Sequence, residues 1–199
     1  METIESIGNE KRLKLCLLGN TSVGKTTLIN KFLDEKNEKG CEKTVEEQYS
    51  KNIKIKGEDC SLEIVDTGGA EDYLGNLDVW IRSSEGFMLV YSINDKETFD
   101  GLKIRYDEIV KCKKEKEKTY SVIIVGNKKD LEKERAVSKE EVEKFCSENE
   151  LKYYEVSAQD DNDDKIEKIF LKIAKKIFKN KYPQEQETQK TIKKCCRLL

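Results

Sequence analysis

Two short stretches carry the residues best suited to chemistry. The first, "GNTSVGKTT" (19–27), follows an apolar run and opens a helical one, and it matches the phosphate-binding spacing G-x-x-x-x-G-K-[ST] in the setting that spacing requires. Gly19 and Gly24 let the backbone curl through Asn20, Thr21, Ser22 and Val23, so that successive N–H groups converge on one anion; the new helix adds its positive end. Lys25 would bring a cation to the outer phosphates, and the Thr26 hydroxyl a hard oxygen for Mg²⁺, with Thr27 completing the loop. Such a loop alone suits an ATPase, a metabolic kinase or a GTPase, and read in isolation it is also a glycine turn with a chance lysine. The second stretch, "NKKD" (127–130), separates these. The Asp130 carboxylate is placed to accept hydrogen bonds from the N1–H and exocyclic amine of guanine, an arrangement adenine does not offer. A site built around such bonds rejects the mismatched base by ~10⁴–10⁵-fold. Alone, "NKKD" is a common polar loop; about a hundred residues behind a phosphate loop it reads as a base-specifying one.

These residues need elements to hold them. Apolar runs predict strands at 13–18, 48–56, 61–65, 86–93, 121–125 and 153–156. Amphipathic runs predict helices at 25–34, 70–84 (irregular), 96–116, 138–149 and 164–180; in the last, Ile166, Ile169, Phe170, Ile173 and Ile177 recur on one face. The alternation calls for an α/β fold: a six-stranded, mostly parallel sheet with helices on both faces. The exception is the pair 48–56 and 61–65, whose short "KGEDC" link reaches only an antiparallel neighbour, so one strand should join as a hairpin at the side of the sheet. Residues 1–12 read as an N-terminal extension, 13–180 as one domain and 181–199 as a flexible tail beyond the only proline, Pro183.

Composition narrows the partners. With 39% charged residues but a net charge of −2, the surface mixes both signs, which argues against a general nucleic-acid binder. The cysteines at 16, 41, 60, 112, 146, 195 and 196 are odd in number and mostly sit singly in apolar runs, as reduced thiols do in a reducing compartment. There is no zinc spacing and no histidine. The first residues form neither a secretory signal nor a membrane span, so a cytosolic location is expected.

Taken together, these motifs resemble the small GTPases of the Ras superfamily, nearest its Ras and Rap branch, over about residues 13–177 plus the tail. "GNTSVGKT" resembles the first nucleotide motif, "TVEEQY" (44–49) the first switch, "DTGGAEDY" (66–73) the second switch, "NKKD" the guanine specifier and "VSAQ" (156–159) the last base-contacting loop. The resemblance implies the P-loop small GTPase fold and a membrane-bound signalling switch that binds GTP or GDP and hydrolyses GTP. It implies Mg²⁺ held by Thr26 and Thr44, with Asp66 acting through water, and a catalytic set of Lys25, Thr44 and Gly69. Thr44 and Gly69 would both sense the γ-phosphate, whose loss releases their loops. Asn127 and Lys128 would brace the base, Ser157 and Gln159 would lie beside it, and the Ala158 N–H would meet the guanine carbonyl. Val45, Glu46, Glu47, Gln48 and Tyr49 would form the edge for effectors with Ras-binding-type domains, the glutamates facing basic residues. An exchange factor and a GTPase-activating protein are the other implied partners.

The departures matter as much. The family's water-positioning glutamine falls at Ala70, whose methyl makes no hydrogen bond. Losing one transition-state contact of this kind costs roughly 10²–10³ in rate. A slow hydrolase is therefore expected, or a constitutively GTP-bound interaction module; an ATP-using P-loop enzyme is disfavoured by "NKKD". Asn37 stands where an aromatic usually covers guanine and Cys41 where a tyrosine often closes over the phosphates. A lost ring contact is worth about 0.5–1.5 kcal/mol, so faster GDP release is expected unless a local shift brings another side chain over the base. Gln159 replaces a lysine, a milder change. The end "KKCCRLL" fits a C-a-a-X prenylation motif on Cys196, with Leu199 favouring geranylgeranyl and Arg197 unusual inside it. One lipid anchors only marginally, so Cys195 as a palmitate site and Lys190, Lys193 and Lys194 would supply the second signal. The expected location is the cytoplasmic face of the plasma membrane or an endomembrane.

Overall fold

Along each central strand, burial alternates between two sides. In β1 (Lys11–Leu18), Leu13, Leu15 and Leu17 pack into one apolar cluster and Cys16 and Leu18 into another. The same period of two runs through β4 (Gly86–Ser92), where Met88 and Val90 oppose Phe87, Leu89 and Tyr91, and β5 (Ser121–Asn127), where Ile123 and Val125 oppose Val122 and Ile124. A strand apolar on both faces must be covered on both. The computed structural model, which describes residues 11–33, 46–68, 74–113, 119–159 and 164–183, shows how.

Six strands lie in the order β2-β3-β1-β4-β5-β6, with β2 (Glu46–Ile55), β3 (Glu58–Thr67) and β6 (Lys152–Glu155) completing the sheet. Among the described residues only the β2–β3 pair is antiparallel. Helices α1 (Lys25–Leu33) and α5 (Lys165–Lys181) close one face; α2 (Leu74–Ser83), α3 (Lys96–Lys113) and α4 (Lys139–Glu148) close the other. The expected α/β architecture is present. On the first face, Phe32 of α1 stacks on Phe170 of α5 with ring centroids 4.3 Å apart, and Ile166, Ile169, Ile173 and Ile177 lie buried beside them. Each such side chain contributes about 1.5–3 kcal/mol of burial.

The hairpin is tighter than "KGEDC" suggested. Ile55 pairs with Glu58, leaving a two-residue turn of Lys56 (φ 55°) and Gly57 (φ 87°). Two positive φ angles are what a type I′ turn needs to match the twist of its strands. The pairing carries β3 beyond the apolar 61–65 run to Thr67, and β5 runs on to Asn127; both extensions place polar residues at the carboxyl ends of the strands. A kinked 3₁₀ segment, Lys129–Glu134, follows β5, and Ser138 caps α4 by accepting a hydrogen bond from the Glu141 N–H (3.2 Å). Among the described residues, Cys16, Cys60, Cys112 and Cys146 form no disulfide.

Candidate functional site

The chain leaves β1 towards β3 on one side of the sheet and comes back on the other through β4, so the carboxyl end of β1 faces the natural crevice of an open α/β sheet. The loop there bends at two positions that only glycine fills without strain. Gly19 sits at φ 150°, and a Cβ on it would come 2.1 Å from the Val90 carbonyl oxygen. Gly24 sits at φ 93°, and a Cβ there would lie 2.3 Å from Asn127 Nδ2. Between them Ser22 adopts φ 60°. The loop thus curls over the first turn of α1, with Asn20, Thr21, Ser22, Val23 and Thr27 in the described backbone around the anion-binding end of that helix.

Lys25 is 5% exposed and reaches back over this curl, donating from Nζ to the carbonyls of Gly19 and Asn20, each at 2.9 Å. Burial lowers its pKa to about 8, against an opposing pull from Asp66. A buried ammonium held over a loop of N–H groups is matched to a phosphate oxygen, which would meet the charge more fully than two carbonyls do.

Next to it, the Thr26 hydroxyl donates to Asp66 Oδ2 at 2.5 Å. Asp66 is fully buried at the end of β3, and burial raises its pKa, against the Thr26 hydrogen bond and the Lys25 charge, which both lower it. Its other oxygen, Oδ1, is buried with no hydrogen-bond partner among the described residues. An orphaned carboxylate oxygen costs free energy unless something cationic meets it. With Thr26 spending its proton on Asp66, the two side chains offer oxygen lone pairs of the hard kind Mg²⁺ prefers. Among the described residues there is no group of three His, Cys, Asp or Glu that could hold a metal ion; Mg²⁺ commonly takes one or two protein oxygens, with phosphates and water completing its shell. The residues therefore fit the expected Mg²⁺.

The base-specifying loop is tied to the phosphate loop from below. Asn127, 2% exposed, donates from Nδ2 to the Val23 carbonyl at 2.8 Å and accepts at Oδ1 from the Ala158 N–H at 3.0 Å. One amide thus joins three loops. Lys128 then turns left-handed (φ 63°), and its carbonyl accepts from the Leu131 N–H at 2.8 Å. That turn leaves Asp130 exposed, with its Oδ1 accepting from the Ser157 hydroxyl at 2.5 Å. Ser157 Oγ also accepts from the Gln159 N–H at 3.2 Å, and the Lys129 N–H is held by the Val156 carbonyl at 3.0 Å. The Ala158 N–H, expected to meet a guanine carbonyl, is given to Asn127 here, so a base carbonyl reaching it would share that donor.

Of the expected site residues, the structure brings Gly19 to Thr27, Asp66, Asn127, Lys128, Asp130, Ser157, Ala158 and Gln159 to the carboxyl end of the sheet. Thr44, Val45, Gly69, Ala70, Asn37, Cys41, Cys195 and Cys196 lie outside the described residues. Glu46 opens β2 opposite Thr67; Glu47 and Gln48 are exposed, and the Tyr49 hydroxyl donates to Glu47. β2 pairs only with β3 among the described strands, so its outer edge is the open side of the sheet.

Two positioning residues were not foreseen. Thr67 donates from Oγ1 to the Leu17 carbonyl at 2.9 Å, fastening the end of β3 to that of β1. Lys113, 8% exposed, donates to the carbonyls of Arg82 (3.1 Å) and Ser84 (2.8 Å), fixing the end of α2. Lys113 stands one turn after Ile109 on the buried face of α3, and a lysine in phase with an apolar stripe was the available signal.

The profile of the Ras family matches residues 14–179. The chain belongs to the Ras family. Its relatives include "Ras-related protein Ral-B" of Rattus norvegicus, 33% identical over 194 residues that cover 93% of each chain. "Ras-related protein O-RAL" of Diplobatis ommata is 32% identical over 192 residues, 92% of each. "Protein ras-1" of Neurospora crassa is 34% identical over 174 residues, covering 85% of this chain and 78% of that one. The six-stranded sheet, with one antiparallel strand and helices on both faces, is accordingly the small GTPase fold that the motifs resemble.

Proposed function

We propose that this Ras-family chain is a GTP/GDP signalling switch with slow hydrolysis of its own, working from a membrane to which its C-terminal cysteines anchor it. The observation that carries the nucleotide reading is the junction of Lys25, Thr26 and Asp66: a buried ammonium and a hydroxyl at the start of α1 beside a half-satisfied carboxylate at the end of β3. Thr26 and Asp66 would hold Mg²⁺, joined by Thr44; when bound, the ion supplies charge neutralisation at the outer phosphates. Lys25 binds the same phosphates directly. The backbone of 19–27 orients them, and Asp130 selects guanine while Ser157 holds one of its oxygens in place.

Switching follows from where the sensors sit. Gly69 would offer its N–H to the γ-phosphate just beyond Asp66 and Thr67, which the structure fastens to β1. Loss of that phosphate would then free the segment after Gly68 but not the strand before it. Thr44 would act likewise at the head of β2, whose exposed Glu47 and Gln48 belong to the edge where effectors with Ras-binding-type domains would pair.

Ala70 cannot orient the attacking water, so intrinsic turnover should fall roughly 10²–10³-fold below that of glutamine-bearing relatives. Single-turnover hydrolysis on the purified GTP-loaded protein tests this, with Ala70→Gln expected to accelerate it. A rate equal to that of the relatives, unchanged in Ala70→Gln, would sink the proposal. The same residue favours a second reading, a constitutively GTP-bound interaction module. A cell extract that raises hydrolysis excludes that reading, and one that never does supports it. The anchor would be a prenyl group on Cys196, with Cys195 and the tail lysines as the second signal.

A further inference from the structure

The outward side of α5 carries charge of one sign. Its 17 residues hold seven lysines and one glutamate. At 100° per residue, Lys165, Lys168, Lys172, Lys175, Lys176 and Lys179 fall within an arc of about 100°, while Glu167 and Lys181 fall elsewhere on the helix. All six are exposed, and they form a stripe about 21 Å long. Near it, Asp164 pairs with Lys168 at 2.6 Å at the first turn, and the Lys172 ammonium lies 4.7 Å from the centre of the Tyr154 ring. No carboxylate of α5 interrupts the stripe from Lys172 to Lys179, the half nearest the tail. Across the sheet α4 reverses the sign, with four glutamates to two lysines. The two helices thus carry opposite charge in a chain whose net charge is only −2.

We propose that the lysine stripe of α5 lies against anionic lipid headgroups, as a second contact with the membrane that the tail is proposed to enter. The choice of a membrane rests on the lipid-anchor reading; the charge of the face does not. After Pro183 the chain has 13 residues to Cys196, at most about 45 Å of backbone, so an anchored tail keeps the stripe close to the surface. In that pose α1 and α5 face the bilayer, α2, α3 and α4 face away from it, and the open edge of β2 lies to the side where a partner strand can reach it.

The test uses the full chain, GDP-loaded, with Cys195→Ser and Cys196→Ser so that no lipid contributes. Its binding is measured to vesicles of phosphatidylcholine alone and of equal parts phosphatidylcholine and phosphatidylserine. Binding is expected only to the anionic vesicles and should fall with added salt. Each lysine held near such a surface is worth about fivefold, so Lys175→Gln with Lys176→Gln should weaken binding roughly 30-fold. Both side chains are exposed, and retained GDP binding checks that the variant is folded. Equal binding by this variant and its parent, or loss seen only when Lys190, Lys193 and Lys194 are replaced, overturns the proposal. So does a parent that ignores phosphatidylserine, including one whose stripe instead pairs with the acidic α4 of a second copy. Release of the lipid-competent chain from cell membranes by Cys196→Ser tests the anchor alone, so the two readings can fail separately.

Discussion

Asn127 is where the nucleotide site should be most fragile. Its side-chain amide, 2% exposed, makes one hydrogen bond to the Val23 carbonyl (2.8 Å) and one from the Ala158 N–H (3.0 Å), linking loops that lie 104 and 31 residues away in sequence. Replacing it with alanine removes two bonds worth about 1 kcal/mol each and strips a partner from two buried backbone groups, at about 1–3 kcal/mol apiece where water cannot substitute. Some relaxation is certain, so a net loss of about 3 kcal/mol is expected. In urea denaturation of the nucleotide-free protein this appears as a lower midpoint with unchanged slope. If the same disorder loosens the bound nucleotide, release of fluorescent GDP should quicken by about 10²-fold, the equivalent of that energy. Ser157→Ala is the control: it removes the bonds to Asp130 and from the Gln159 N–H, both partners exposed, and should cost about 1–2 kcal/mol. A second comparison isolates the contact. Gly24→Ala places a Cβ 2.3 Å from Asn127 Nδ2, so its penalty should shrink in the Asn127→Ala background beyond what backbone strain alone allows. Should Asn127→Ala match Ser157→Ala in both assays, or Gly24→Ala cost the same in both backgrounds, the bridging role assigned to Asn127 is wrong.

Two other groups give their own signals. Lys25, with a pKa lowered to about 8 against an ordinary 10.5, binds fewer protons folded than unfolded between those values, so its contribution makes stability rise with pH across that window. Phosphate binding would restore its charge; at about pH 9, GDP binding should take up close to one proton, seen as a buffer-dependent heat in calorimetry, but almost none near neutrality or in Lys25→Met. Asp66→Asn keeps an acceptor for Thr26 while removing the buried charge, so the metal-free variant should be no less stable than its parent. Mg²⁺ should nevertheless lose most of its power to slow GDP release from it; an undiminished Mg²⁺ effect would remove Asp66 from the metal site.

Much of this site was legible because phosphate binding is done by the backbone, and backbone conformation leaves marks in sequence. Gly19 and Gly24 stand at positive φ where a Cβ would collide, and Lys25 and Thr26 follow directly, the one reaching back to the loop carbonyls and the other across to Asp66. The strands were legible by their apolar cores but not by their ends. β3 continues to Thr67 and β5 to Asn127 because their ladders go on pairing after the apolar residues stop, and hydrogen-bond pairing does not depend on hydropathy. The tertiary roles of Asn127 and Thr67 could not be read, since each depends on a carbonyl brought near only by folding, and Lys113 left only its phase with the apolar stripe of α3 as a mark. "NKKD" pointed to Asn127 for the base; the structure adds that it holds up the phosphate loop.

That second role bears on Ala70. The groups that would grip phosphate and guanine are braced by one another: Lys25 by two loop carbonyls, Thr26 by Asp66, Val23 and Ala158 by Asn127, and Asp130 by Ser157. On the proposed reading, a change at Ala70 would slow the chemical step without loosening the nucleotide, because the interactions that act only in the transition state are separate from those that bind the ground state. If Ala70 slows hydrolysis as proposed, this chain would keep its grip on GTP while losing its clock, and the time it spends active would be set by release or by a partner that supplies the missing group.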